Sequence, residues 1–163
     1  VPPKLLEEWL DMWRKQHGIA DKLKVALKPH SAGSQLLELS IVNASGGKAA
    51  NVIFDTIQDR RAHNILSIRD QNTFDEALRR KRLMTLAQLF LIHRYKIDAV
   101  YYLTPTDDNH RQTDGMKARG IFSEVNDEVG QIIVASVNAE RVKQLLEPDR
   151  TALGALVTDA HRS

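Results

Sequence analysis

Residues Val100–Asn138 read VYYLTPTDDNHRQTDGMKARGIFSEVNDEVGQIIVASVN, and their punctuation decides the fold. Val100, Tyr101, Tyr102 and Leu103 form a short apolar run of strand type, and Pro105 stops it. Asp107, Asp108 and Asn109 then offer side chains that cap a helix. The segment Gln112–Arg119 has room for about two helical turns, and Gly120 ends it. Ile121–Val125 and Gln131–Val137 are again strand-like, joined through Asn126, Asp127 and Gly130. A polar crossover at the end of a strand is where open α/β sheets bind ligands. The stretch therefore predicts a small-ligand site on a mixed sheet.

Working outward, Lys4–His17 is amphipathic, with Leu5, Leu6, Trp9, Leu10, Met12 and Trp13 at helical spacing. Both tryptophans lie here, either as core or as anchors for a partner. Leu23–Leu27, Gln35–Val42, Asn51–Ile57 and Asn64–Arg69 are strand-like, with turn residues between them that favour antiparallel hairpins. Leu37, Leu39 and Ile41 alternate with Glu38 and Ser40, the pattern of a sheet with one wet face. Thr73 and Glu76 have capping-box spacing and predict a long helix from Thr73 to Tyr95. Strand Asp98–Thr104 follows. Asn138 caps a helix containing Val142, and Pro148 suits the first turn of a last helix. The order predicts an α/β (α+β) fold. It is a mixed, mostly antiparallel sheet with helices on both faces, in one domain over 1–163: a helix within 1–18, then sheet and helices over 19–163.

Composition narrows the function. A chain of 163 residues, 42% hydrophobic and 27% charged, is long enough for one core and ordinary for a globular domain. No apolar run is long enough to span a bilayer, and no charged-then-apolar leader appears. The absence of cysteine excludes disulfides, zinc-thiolate sites and thiol nucleophiles, and it suits a reducing cytoplasm. A net charge of +2 does not argue for nucleic acid. His17, His30, His63, His93, His110 and His161 show no metal-binding spacing. His110 is the one within the crossover. Val1-Pro2-Pro3 reads either as a cut within a linker of a longer protein or as a processed N-terminus.

The order of elements resembles that of the GCN5-related N-acetyltransferases, which hold acetyl-CoA where two central strands splay apart. In that family the strand after the long helix leads to an Asn, and the next helix ends in Gly with an apolar neighbour. Leu103–Phe122 lays out on this pattern, with Asn109 on the family's Asn and Gly120-Ile121 at the helix end. The resemblance places Leu103 and Thr104 beside the pantetheine arm. Met116 occupies the position of the family's general-acid Tyr, and a thioether has no proton to give. The resemblance thus implies CoA binding more than acyl transfer. The family's phosphate-gripping stretch, Arg/Gln-x-x-Gly-x-Gly/Ala, falls near Leu78–Leu83, where the glycines are replaced by Arg79-Arg80-Lys81-Arg82. These side chains are either a solvated helix face or a clamp for CoA phosphates. A helix starting at Thr73 would put the cluster inside it and acidic residues at its tip.

The run from Tyr102 to Asn138, followed by ERVKQLL, resembles the extra C-terminal domain of the long-form isocitrate lyases, and the similarity extends over essentially the whole chain. The lyase signature Lys-Lys-Cys-Gly-His is absent. The resemblance implies a non-catalytic domain that binds acetyl-CoA or propionyl-CoA and activates a lyase barrel of the same chain, pairing as a ligand-linked homodimer. Mg²⁺ is expected only in that lyase domain. The alternatives are a working N-acetyltransferase and a structural oligomerisation module anchored by Trp9 and Trp13.

Overall fold

The computed structural model describes residues 1–128 and 130–158, so His161 lies outside the described residues. Helix α1 spans Lys4–Gln16 and is followed by strands β1 (Lys24–Pro29), β2 (Leu37–Val42), β3 (Lys48–Gln58) and β4 (Asn64–Thr73). A single 3-10 turn, Glu76–Leu78, leads to helix α2 (Leu83–Tyr95), strand β5 (Ala99–Leu103) and helix α3 (Asp107–Ala118). Strands β6 (Phe122–Glu128) and β7 (Ile132–Val137) and helices α4 (Ala139–Leu145) and α5 (Thr151–Thr158) complete the chain.

The strands form one sheet in the order β1-β2-β3-β4-β5-β7-β6. Every neighbouring pair is antiparallel except β4 and β5, which run parallel. A parallel pair cannot be joined by a hairpin, so α2 makes the crossover between them. This is the mixed, mostly antiparallel arrangement expected from the sequence.

Strand parity sorts the residues. Leu39, Val52, Phe54, Leu66, Ile68, Val100, Tyr102, Ile133 and Ala135 point to one face and join one core with buried residues from α1 to α5. The helices thus gather on one face, not on both. The opposite parity carries polar positions such as Glu38, Ser40, Asn51 and Ser67. Helix α2 is buried almost all round from Leu83 to Ile92, as expected of a helix with no polar face sandwiched between the sheet and outer helices. Trp9 and Trp13 are 2% and 0% exposed, so they are core residues and cannot anchor a partner.

The largest departure from the sequence reading lies between Arg69 and Leu83. Thr73 is no helix cap: it ends β4, paired with Ala50. Asp75 caps only the short 3-10 turn, accepting from the Ala77 amide at 3.0 Å. At the other end of the chain Pro148 lies before α5, and the Asp149 carboxylate accepts from the amide of Thr151, the first residue of α5, at 3.1 Å.

Glu38 lies on the helix-free face, 4% exposed, and is held by Lys48 Nζ at 2.6 Å and Asn51 Nδ2 at 2.9 Å. Burial alone would raise its carboxyl; the Asn51 and Lys48 hydrogen bonds, the Lys48 charge and His30 overcome this and hold it at about 2. A carboxyl lowered on folding stabilises the protein above its unfolded value and loses that contribution as pH falls towards the folded one. Urea unfolding at a series of pH values is therefore expected to show about 3 kcal/mol lost between pH ~4.5 and ~2, a slope that Glu38→Gln flattens.

Candidate functional site: a cleft where two central strands part

Pairing of β4 with β5 stops at Ile68↔Tyr102. On its other side β4 pairs Ile68 with Phe54 and Asp70 with Ile53, which leaves Arg69 as an unpaired extra residue. A bulge bends the strand that carries it, and here it turns β4 away from β5. Strand β5 turns the other way: Thr104 has φ 45°, rare for a β-branched residue, and its amide donates to Gln131 O at 3.0 Å. From Arg69 to Thr73 the backbone of β4 has a strand on one side only. The result is an open cleft of about 830 Å³ between the parted ends.

One end of this cleft is the loop before α2. Arg80 and Arg82 both have φ 62°, a left-handed conformation that glycine adopts at no steric cost. These two positions, one residue apart, match the spacing of the two glycines in the acetyltransferase phosphate loop. Both positions are ones that glycine would occupy without strain, and arginines stand there. Trp13 Nε1 fixes the loop by donating to Lys81 O at 2.7 Å, and Arg79 Nε donates to Thr73 O at 2.9 Å. No side chain caps the start of α2. Its first amides and the positive end of its dipole are therefore available to an anion.

Of the residues predicted from sequence, the structure brings Arg79, Arg80, Leu103, Thr104 and Asn109 to the cleft wall. Lys81 and Arg82 are in the loop but do not line the cleft. Lys81 Nζ turns back to Ala77 O at 2.9 Å, and Arg82 reaches Leu156 O at 3.5 Å. The cluster lies before the long helix rather than inside it, because that helix starts at Leu83. Helix α3 also starts earlier than predicted, at Asp107, with Thr106 as its cap. Asn109 completes a capping box, its Oδ1 accepting from Thr106 N at 3.0 Å. Asp108 pairs with Arg111 on the exposed surface of α3. His110 is outside the cleft, 3.9 Å from an Asp127 carboxylate oxygen. The lining carries Arg69, Arg79, Arg80 and Arg111 against Asp70 and Asp108, so its charge is net positive.

Sequence reasoning missed the polar wall of the cleft. Gln88 on α2 is 0% exposed; its Nε2 donates to Gln71 Oε1 at 2.9 Å and to Gln112 Oε1 at 2.8 Å. Gln71 Nε2 donates to the same Gln112 oxygen at 2.8 Å, and the Tyr102 hydroxyl donates to Gln88 Oε1. The cluster ties β4, β5, α2 and α3 together. Its signal was present in the sequence: a lone Gln inside the apolar run Leu83–Ile92 is a buried polar group that needs partners. Tyr102→Phe is expected to cost about 1–3 kcal/mol in chemical unfolding, because Gln88 Oε1 would stay buried without its donor.

Two features bear on acid–base chemistry. Met116 is buried in the core at 1% exposure and does not line the cleft. Tyr102 does line it, but burial raises its hydroxyl far above the usual tyrosine value, and its proton is committed to Gln88. Among the described residues no group of three or more His, Cys, Asp or Glu side chains could hold a metal ion. No helix among them is long and apolar enough to cross a membrane.

No protein-family model matches the chain. The chain is 60% identical over 158 residues to isocitrate lyase 2 of Mycobacterium tuberculosis and to that of Mycobacterium bovis, covering 97% of itself and 21% of each. It therefore spans well under half the length of these curated relatives. Among solved structures it is similar to a chain of the KacTA–DNA complex, with TM-score 0.50 and 12% identity over 85% of this chain and 84% of that one. It is also similar to an acetyltransferase of the GNAT family from Staphylococcus aureus, with TM-score 0.45 and 10% identity over 83% and 93%. Over nearly its whole length the chain is thus homologous to one domain-sized segment of the mycobacterial isocitrate lyase 2 proteins.

Proposed function

We propose that this domain binds a short-chain CoA thioester, acetyl-CoA or propionyl-CoA, without processing it, and that occupancy activates an isocitrate lyase domain carried by the same protein. One observation carries the reading: the gap between the parted strands and the arginine loop at an uncapped helix start open into the same cavity. The pantetheine arm carries amide groups, which suits the one-sided backbone of β4 from Arg69 to Thr73. Leu103, the last residue of β5, and Thr104 after it face the arm. The phosphates meet Arg79, Arg80 and the first amides of α2, where guanidinium groups give bidentate contacts. Lys81 and Arg82 shape the loop and contribute long-range charge.

The inert thioether of Met116 and the committed hydroxyl of Tyr102 favour binding over acyl transfer. Mg²⁺ belongs to the lyase chemistry, which this domain lacks residues to perform. Activation requires that the two arrangements of the parent protein differ in affinity for the ligand, since equal affinity shifts nothing. Ligand-linked pairing of two such domains in the cytoplasm supplies those arrangements.

Melting of the domain with acetyl-CoA, propionyl-CoA, free CoA and isocitrate tests the proposal. A thioester at about a hundred times its dissociation constant should add ~2.7 kcal/mol of stability, while isocitrate adds none. No thioester-dependent rise in melting temperature would contradict it.

A further inference from the structure

We propose that the glutamine cluster at the cleft wall reads the acyl carbonyl, so that the site senses acylated CoA and not CoA itself. The inference rests on the cleft being a CoA-thioester site and assigns the chemistry of its acyl end.

The Tyr102 hydroxyl is fully buried and donates to Gln88 Oε1. The Gln88 amide is thereby oriented, and both of its N–H groups are spent on the oxygens of Gln71 and Gln112. Gln71 turns its own Nε2 to the same Gln112 oxygen. Tyr102 and Gln88 thus have every O–H and N–H spent, while Gln71 Nε2 spends one of its two N–H groups within the cluster. Gln112 Oε1 accepts two hydrogen bonds, while Gln112 Nε2 donates to no described residue, and Gln112 lines the cleft. The cluster thus ends in a fixed, unspent donor on the cleft wall. A thioester carbonyl is an acceptor and fits it. A free thiol accepts only weakly, and a thioether has no carbonyl at all.

The cluster also bridges the gap. Gln71 comes from β4 and Gln112 from α3, the helix that follows β5, and their 2.8 Å hydrogen bond joins the two sides of the cleft. A bound acyl group touching Gln112 thus touches a residue hydrogen-bonded to both β4 and α2, whereas a free thiol offers it no carbonyl.

Titration calorimetry on the domain with acetyl-CoA, S-ethyl-CoA and free CoA tests the inference. S-ethyl-CoA matches acetyl-CoA in size but lacks the carbonyl. Acetyl-CoA is expected to bind about tenfold tighter than both, the worth of one net hydrogen bond. Gln112→Glu keeps an acceptor for Gln71 and Gln88 but removes the donor. It should bring acetyl-CoA and S-ethyl-CoA to within about twofold of each other. The added charge acts alike on the CoA phosphates that all three ligands share. In the wild-type protein, without any substitution, the Gln112 side-chain amide proton resonances should shift with acetyl-CoA and stay in place with S-ethyl-CoA. Equal affinity for acetyl-CoA and S-ethyl-CoA in the wild type, or a ratio unchanged by Gln112→Glu, overturns the inference while leaving the CoA site intact. Absence of heat with all three ligands overturns the proposed function and this inference with it.

Discussion

Arg80→Gly should weaken acetyl-CoA binding by about 10- to 100-fold while leaving the domain as stable as before or slightly more stable. The two halves of this result come from different features of one residue. Arg80 lines the cleft and makes no side-chain hydrogen bond or ion pair among the described residues. Its removal breaks nothing in the folded protein but takes a cation from the ligand. Its backbone sits at φ 62°, where an L-residue is disfavoured by roughly 1–2 kcal/mol and glycine is not. Glycine also gives the unfolded chain more freedom, which offsets part of that relief. The net change in unfolding free energy should stay within about 1 kcal/mol of zero, on the favourable side. Arg80→Ala separates the terms: it loses the same affinity but keeps the strain. An affinity loss below about threefold for Arg80→Gly would remove this residue from the phosphate site. A destabilised glycine variant would mean that the arginine side chain supports the fold.

The second large effect belongs to Trp13. Its indole is fully buried in the core, and its Nε1 holds the loop through Lys81 O. Trp13→Ala should cost about 3–5 kcal/mol, as other large-to-small core changes of aromatic residues do. Trp13→Phe keeps most of the apolar contact and loses only the hydrogen bond, so about 1 kcal/mol is expected. The phenylalanine variant is the informative one. It should weaken acetyl-CoA several-fold although Trp13 does not touch the cleft, because the Arg79–Arg82 path is no longer pinned and must be ordered on binding. Unchanged affinity in Trp13→Phe would show that the loop holds its shape without α1.

Much of this architecture was legible because several levels agreed. Alternation at Leu37–Ile41, turn residues between the hairpins and the apolar run at Val100–Leu103 all pointed to the same sheet. Reading failed where tertiary partners override local preference. Asp70-Gln71-Asn72 looks like a strand end, yet β4 continues to Thr73 because Asn72 pairs with Asn51 and Gln71 with Gln112. Thr73 and Glu76 have the spacing of a cap, but pairing of Thr73 with Ala50 keeps it in the sheet. The same pairing decides the loop: because the helix starts at Leu83, the basic cluster is a left-handed turn at a helix tip and not a helix face. In α3 the sequence offers Asp107–Asn109 as caps, whereas Thr106 holds that place, since any hydroxyl or carboxamide in that run competes for the same amides. The bulge at Arg69 and the left-handed Thr104, which together open the cleft, have no local signature, since both arise from strand registers that only the assembled sheet defines.

The most direct test of a CoA-thioester site between β4 and β5 is an amide NMR titration of the ¹⁵N-labelled domain with acetyl-CoA. Saturable shifts are expected at Arg69–Asn72, Arg79–Met84 and Leu103–Thr104, with little change along β1 and β2. Shifts confined to surfaces away from these segments, or none as the ligand is raised into the millimolar range, would contradict the account.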